Sequence, residues 1–154
     1  MALREDPEPL PVVYRCVPTS AEDMRVLALI LNSAHPVHGL RCVTVPGNPR
    51  PKERPRFNRS TGNAYVSKNE RLAAKQMRAL LEESGVRCDS GQLAVAFLFA
   101  RKDRTKVDAS NLQKFTEDAA NRVLWRDDSQ IVSLHAEVII DPTFPRTVVA
   151  LASL

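Results

Sequence analysis

The sequence has few cysteines, and they are not arranged for chemistry. Cys16, Cys42 and Cys88 are the three cysteines among 154 residues; they lie far apart and form no CxxC pair. An odd number of scattered thiols is not typical of a disulfide framework or of a structural zinc site. We therefore expect these thiols to be buried or chemically idle.

Long apolar segments and glycine-rich loops are also missing. No stretch approaches the roughly 20 consecutive apolar residues that a membrane-spanning helix requires. The N-terminal segment MALREDPEPLP is acidic and rich in proline, unlike a secretory signal, so we expect a cytoplasmic protein with no membrane partner. Without a Gly-rich phosphate loop or a nearby Ser/His pair, nucleoside triphosphate hydrolysis and acyl transfer are disfavoured.

The composition is that of an ordinary globular domain, with 44% hydrophobic and 26% charged residues. Residues 1–18, rich in proline, are expected to form an extended arm. Periodicity and capping signals then predict a helix over 20–32, a strand over 40–46, a short strand over 64–67, a helix from 68 to about 84, a strand over 92–100, a helix over 109–123, and strands over 131–140 and 146–152. This order predicts an α+β, or mixed α/β, fold around a small sheet.

Finer expectations concern the faces and ends of the first two helices. Met24 and Leu72 fall on the apolar stripes of these helices. Ser67 followed by Glu70 is typical of a capping box at the start of the second helix.

Positive charge is clustered, although the net charge is only +4. Between residues 41 and 59 there are six basic residues against the single acid Glu53, and between residues 101 and 106 there are four against Asp103. Clustered cations at a modest overall charge favour a polyanionic partner.

The most informative stretch is KVDASNLQKFTEDAANRVLWRDDSQI, residues 106–131. On a helical wheel of about 100° per residue, Asn111, Lys114 and Asp118 share one face. The adjacent apolar stripe consists of Leu112, Phe115, Ala119 and Val123. Asp108 precedes the helix, and Asp127 and Asp128 follow it.

Carboxylates gathered from a helix start and a strand start suit a hard cation such as Mg²⁺, which keeps several waters and needs few protein ligands. Such an ion binds a phosphate oxygen and activates water, and a neighbouring lysine stabilises developing negative charge. The residues alone leave another interpretation open: Asp108 as a helix N-cap, Lys114 as a solvated lysine, and the Asp127-Asp128 pair as a polar turn.

These residues resemble the RusA family of Holliday-junction resolvases, which are small endodeoxyribonucleases. The family motif is Asp-x-Asp-Asn-x-x-Lys at a helix start, followed later by an aromatic residue and an Asp-Asp pair. Here it reads DASNLQK from Asp108 to Lys114 and WRDDSQI from Trp125 to Ile131. The resemblance covers roughly residues 41–152 and includes the Pro- and Arg-rich segment PGNPRPKERPRF.

The resemblance implies a homodimer with a small mixed β-sheet, packed with two main helices, in a nuclease domain over residues 40–154. Residues 1–39 would be an N-terminal extension containing the arm and an extra helix. It further implies a Mg²⁺-dependent endonuclease, with Mn²⁺ as an alternative ion, that nicks four-way junctions symmetrically.

The resemblance also implies roles for particular residues. Asp108 and Asp128 would be metal ligands, with Asp127 and Asp118 as supporting carboxylates, Lys114 as the catalytic lysine and Asn111 as a residue that holds a ligand in place. The residues expected to contact DNA phosphates are Arg50, Lys52, Arg54, Arg56, Arg59, Lys102, Arg104 and Lys106.

One position departs from the family motif, because Ser110 stands where the second aspartate is expected. Three consequences are open: Ser110 coordinates weakly, Asp118, Asp127 or Glu117 replaces the carboxylate, or the protein binds junctions without efficient cutting. The last is the alternative function, a catalytically weakened binding protein for branched DNA. Ser110 with Gln113 also fits a helix capping box, a purely structural role.

Overall fold

The computed structural model describes residues 15–154, so most of the predicted arm lies outside the described residues. The elements are α1 (Ala21–Asn32), β1 (His38–Pro46), β2 (Arg56–Phe57), β3 (Ala64–Tyr65), α2 (Lys68–Glu83), β4 (Leu93–Arg101), α3 (Ala109–Ala120), a 3₁₀ turn (Asp128–Gln130), β5 (Ile131–Ile140) and β6 (Arg146–Ser153). The predicted α+β fold is confirmed. None of the helices over residues 15–154 is long and apolar enough to cross a membrane.

The main sheet is mixed and has the strand order β1-β6-β4-β5. β4 pairs with β6 in the antiparallel and with β5 in the parallel sense, so α3 forms the crossover between two parallel neighbours. Every residue of β4 is buried, as its continuous apolar sequence predicts. β5, in contrast, is an edge strand, and β2 and β3 form a separate small hairpin.

Two apolar clusters cover the two faces of the sheet. Leu81 of α2 and Leu112 of α3 belong to the larger cluster, whereas Leu27 and Leu31 of α1 belong to the other. α1, the helix of the N-terminal extension, thus covers the face of the sheet opposite α2 and α3. The buried guanidinium of Arg146 on β6 fastens it there by binding the carboxylate of Asp23 at 2.8 and 2.9 Å.

Several local expectations are corrected. Met24 and Leu72 are 39% and 54% exposed and lie at the edges of the apolar stripes. Ser67 caps α2, but the carboxylate of Glu70 accepts hydrogen bonds from Arg50 and from the Glu53 backbone amide instead of completing the capping box.

The predicted helix over 109–123 is too long at its C-terminus. α3 ends at Ala120, and Arg122 has a positive φ of 66°, a left-handed conformation that a helix cannot continue through. Val123 is nevertheless buried, as expected, from the turn that follows α3.

Candidate active site and nucleic-acid interface

Asp108 occupies the N-cap position of α3, yet its side chain makes no capping hydrogen bond. Its only side-chain partner within residues 15–154 is the amide of Asn111, whose Nδ2 lies 3.5 Å from Oδ2. A carboxylate at this position normally accepts a backbone N–H of the first turn. The Asp108 carboxylate is therefore exposed and available to another ligand, in the field of a helix N-terminus.

Ser110 lies inside the first turn of α3 and is exposed. Since the N-cap residue is Asp108, the capping box proposed for Ser110 and Gln113 is wrong. Gln113 instead places its amide 3.4 Å from the carboxylate of Glu117. The Ser110 hydroxyl forms no hydrogen bond with another residue in 15–154, so replacing it with aspartate would break no helix contact.

Lys114, Asp118 and Lys52 form a charged cluster on the outer side of α3. Lys114 Nζ lies 2.9 Å from Asp118 Oδ1, and Lys52 Nζ donates to Asp118 Oδ2. Partial burial acts to raise the pKa of Asp118, but the hydrogen bonds from both lysines outweigh it and lower that pKa. The hydrogen bond and charge of Asp118 in turn raise the pKa of Lys114, to which Asp128 also contributes. Lys114 is therefore a fixed cation, and Asp118 is its counterion.

Asp127 and Asp128 hold different positions in the 3₁₀ turn before β5. Asp127 caps the turn, with Oδ2 accepting from the Ser129 amide at 3.0 Å, and this hydrogen bonding lowers its pKa. Asp128 Oδ1 accepts a 2.7 Å hydrogen bond from Nε1 of the buried Trp125. One oxygen of Asp128 is thus oriented by the core, and the other is left for a ligand.

The structure does not assemble these carboxylates into one metal site within the chain. Asp108 precedes the first residue of α3, whereas Asp128 lies beyond its last, and the 12 residues of the helix span about 18 Å. Over the described range 15–154, no group of three His, Cys, Asp or Glu side chains is placed to hold a metal ion. Asp108 and Asp128 therefore lie at opposite ends of α3, and Lys114 lies between them in the sequence.

The basic residues expected to contact DNA divide into two sets. Arg50 is engaged by Glu53 at 3.0 Å and by the buried Glu70 at 3.4 Å, and Lys52 by Asp118. The exposed set, which forms no ion pair with any described residue, comprises Arg54, Arg56, Arg59, Lys102, Arg104 and Lys106. Arg56 lies on the β2–β3 hairpin beside Phe57, which is 70% exposed.

Sequence reasoning missed a basic face on α2. It consists of Lys68, Arg71, Lys75 and Arg78, and we call it the α2 track. The spacing i, i+3, i+7 and i+10 is a recognisable helical signal. The role of Trp125 was also missed, since nothing in the sequence shows that its indole contacts Asp128.

A comparison with protein-family models matches residues 46–152 to the family described as Endodeoxyribonuclease RusA. No curated protein matches the chain. The matched range contains α2, α3, β4, β5 and all of β6 except Ser153, but only the last residue of β1, Pro46.

Proposed function

Because the chain belongs to the RusA family of endodeoxyribonucleases, and is thus a nuclease of the Holliday-junction resolvase type, we propose that it nicks four-way DNA junctions with the help of Mg²⁺, or alternatively Mn²⁺. The observation that carries the proposal is that the carboxylate of Asp108, at the N-cap of α3, makes no capping hydrogen bond. An N-cap aspartate that caps nothing forgoes roughly 1 kcal/mol of helix stability. A ligand for that carboxylate explains its placement.

We assign the metal to Asp108 and Asp128, with Asn111 bonded to Asp108 and Asp127 shaping the turn that carries Asp128. The ion would supply a polarised phosphate oxygen and an activated water. Lys114 remains protonated because Asp118 raises its pKa, so it stabilises negative charge at the phosphate and is not a general base. Asp118 serves this lysine as a counterion in preference to binding metal.

The second part of the proposal is a homodimer formed through β5. This ten-residue strand has an open edge and an apolar face on the side of α3 that is only partly covered. The exposed fractions are 49% for Val132, 40% for Leu134, 37% for Val138 and 43% for Ile140. A long, apolar, unpaired edge is a pairing site that a monomer would normally block.

Two-fold pairing of β5 strands would also complete the metal site. β5 is parallel to β4, and it begins at the end of the sheet where Asp128 lies and finishes at the end where β4 leads towards Asp108. In an antiparallel β5–β5 pair, Asp128 of one subunit would lie at the same end as the partner's Asp108. Two equivalent sites would then result, which is what symmetrical nicking requires.

Nicking of a labelled four-way junction tests the activity. We expect wild-type protein to nick with Mg²⁺ and not with EDTA, Asp128→Asn to lose nicking while retaining junction binding, and Asp89→Asn to behave as wild type. Asp89 is a suitable control because its carboxylate is exposed and, among residues 15–154, is bonded only to Arg87. Equal cutting by Asp128→Asn and wild type would overturn the metal assignment.

Complementation tests the shared site. Asp108→Asn and Asp128→Asn are inactive separately, but a heterodimer obtained by co-expression contains one site with both aspartates intact if each site draws on two chains. We expect nicking to return in the heterodimer. No recovery, despite demonstrated heterodimer formation, would place each site within one chain.

The alternative function, junction binding with weakened chemistry, rests on Ser110. A serine two residues after Asp108 carries no negative charge, whereas the aspartate of the family motif would carry one. Tight junction binding with no nicking under Mg²⁺ or Mn²⁺ would favour this alternative over the nuclease.

A further inference from the structure

The α2 track is a continuous cationic surface that the proposed chemistry does not use. On a wheel of about 100° per residue, its four residues fall within about 80° of each other. Lys68, Arg71 and Lys75 are exposed, and Arg78 is 44% exposed with Glu82 only at 3.9 Å. The acid of the first turn, Glu70, is buried, and its carboxylate is bonded to Arg50 and not to a residue of the track. The track therefore presents nearly unneutralised positive charge to solvent.

The track leads to the candidate active site. Arg71, Lys75 and Arg78 line a cleft between α2 and α3 whose opposite wall includes Asp118 and Lys52. Asp118 is in turn bonded to Lys114. The cleft thus connects three cations of α2, through Asp118, with the lysine that we place at the phosphate being cut.

We propose that the α2 track binds the phosphate backbone of the cut strand on one side of the cleaved bond, an inference that rests on the proposed nuclease function. From Lys68 to Arg78 the helix rises about 15 Å, which corresponds to about four nucleotides at about 3.4 Å of axial rise each. The contacts are to phosphates, so they hold the strand in place without reading its sequence.

The salt dependence of junction binding, measured without divalent metal so that no cutting occurs, tests the track. The plot of log K against log salt concentration has a negative slope, and each lost phosphate contact reduces the magnitude of that slope by about 0.9. We expect Lys75→Gln to lower it by about one and Arg71→Gln/Lys75→Gln by about two. Glutamine is close to lysine and arginine in helix propensity, so α2 remains folded, which circular dichroism verifies.

The matched control is Arg25→Gln, which removes the same charge from an exposed position on α1, across the sheet from α2. We expect this variant to retain the wild-type slope. If Lys75→Gln and Arg25→Gln give equal slopes while the wild type binds and nicks junctions, the proposal that the α2 track binds DNA is overturned and the nuclease proposal stands. If the wild type neither binds nor nicks junctions, the nuclease proposal itself fails.

Neutral methylphosphonate linkages locate the contact. They are placed within about four nucleotides of the nick, first on one side of the cleaved bond and then on the other. On the side that the α2 track contacts, they should weaken junction binding by the wild type but should not further weaken binding by Arg71→Gln/Lys75→Gln. Such non-additivity shows that the same contact has been removed from both partners. Fully additive losses at every position tested would contradict the proposal.

Discussion

Trp125 donates a 2.7 Å hydrogen bond from Nε1 to Oδ1 of Asp128. Trp125 is the single tryptophan of the chain and is fully buried, whereas Asp128 lies at the surface turn that begins β5. The bond connects the core directly to a proposed metal ligand. Hydrogen bonds of this kind fix the rotamer of a ligating carboxylate and commonly change metal affinity by about 10–100-fold.

Trp125→Phe should therefore raise the Mg²⁺ concentration needed for half-maximal nicking by about tenfold or more. Phenylalanine keeps most of the buried ring but has no N–H donor. A purely structural role would lower thermal stability and leave the metal requirement unchanged. Metal titration of nicking, with a melting curve for each protein, separates the two cases.

Ser110→Asp should lower the Mg²⁺ concentration needed for nicking, because it adds a carboxylate two residues after the uncapped Asp108. Ser110 is exposed in the first helical turn, where a negative charge is also favourable to the helix. Ser110→Ala is the control and should match wild type if the hydroxyl does not coordinate. Unchanged metal dependence in Ser110→Asp would indicate that another carboxylate already supplies the missing charge.

The parts that sequence reasoning predicted well are those controlled by local pattern. The uninterrupted apolar run predicted that β4 would be buried on both faces, and the periodic apolar residues predicted the buried face of α3. Both patterns are repeated over many consecutive residues, so they are recognisable without knowledge of the fold. Lys114 contacts Asp118, and Asn111 contacts Asp108, as the helical wheel predicts for residues of one helix and its cap. Their roles in a site stay predictions.

What remained hidden depends on contacts between distant segments. Arg50 and Arg54 are equivalent in the sequence, and only the fold brings Arg50 to Glu70, twenty positions away. The separation of Asp108 from Asp128 follows from the parallel pairing of β4 and β5, which local pattern does not reveal. α3 ends early because Asn121 already has an extended ψ of 130°, and the left-handed Arg122 follows it; neither residue type announces this turn in the sequence.

Arg54→Gln should mainly weaken junction binding, whereas Arg50→Gln should mainly lower the free energy of unfolding. Arg54 is exposed, so its loss should lower the salt slope of junction binding by about one and leave stability unchanged. Loss of Arg50 leaves the buried Glu70 without its cation, which should cost about 1–3 kcal/mol of unfolding free energy with a smaller change in slope. Urea unfolding and salt titration of both variants are the measurements. Equal salt slopes and equal unfolding free energies for the two variants would contradict the division of the basic residues into an ion-paired set and an exposed set.

Asp23→Asn should destabilise the protein by about 3–5 kcal/mol, because it leaves the buried guanidinium of Arg146 without a main partner. The two side chains are 7% and 8% exposed. Glu22→Gln, an exposed neighbour on α1, is the control and should change stability little. A loss below about 1 kcal/mol, as for an exposed ion pair, would show that α1 is not held by this bond.

Asp118→Asn should have effects at both ends of the pH scale. The pKa of Asp118 is lowered, so its stabilisation is present above the ordinary carboxyl pKa of 3.8 and is lost as pH falls through the lowered value. Since the side chain is 32% exposed, the neutral-pH difference from wild type should stay below about 1 kcal/mol and vanish in acid. At alkaline pH the sign reverses for Lys114: its pKa is raised, chiefly by Asp118, so Asp118→Asn should let the lysine lose its charge at a lower pH. The alkaline loss of nicking should therefore move to lower pH in Asp118→Asn, and an unshifted alkaline limb would mean that Lys114 does not supply the charge at the phosphate.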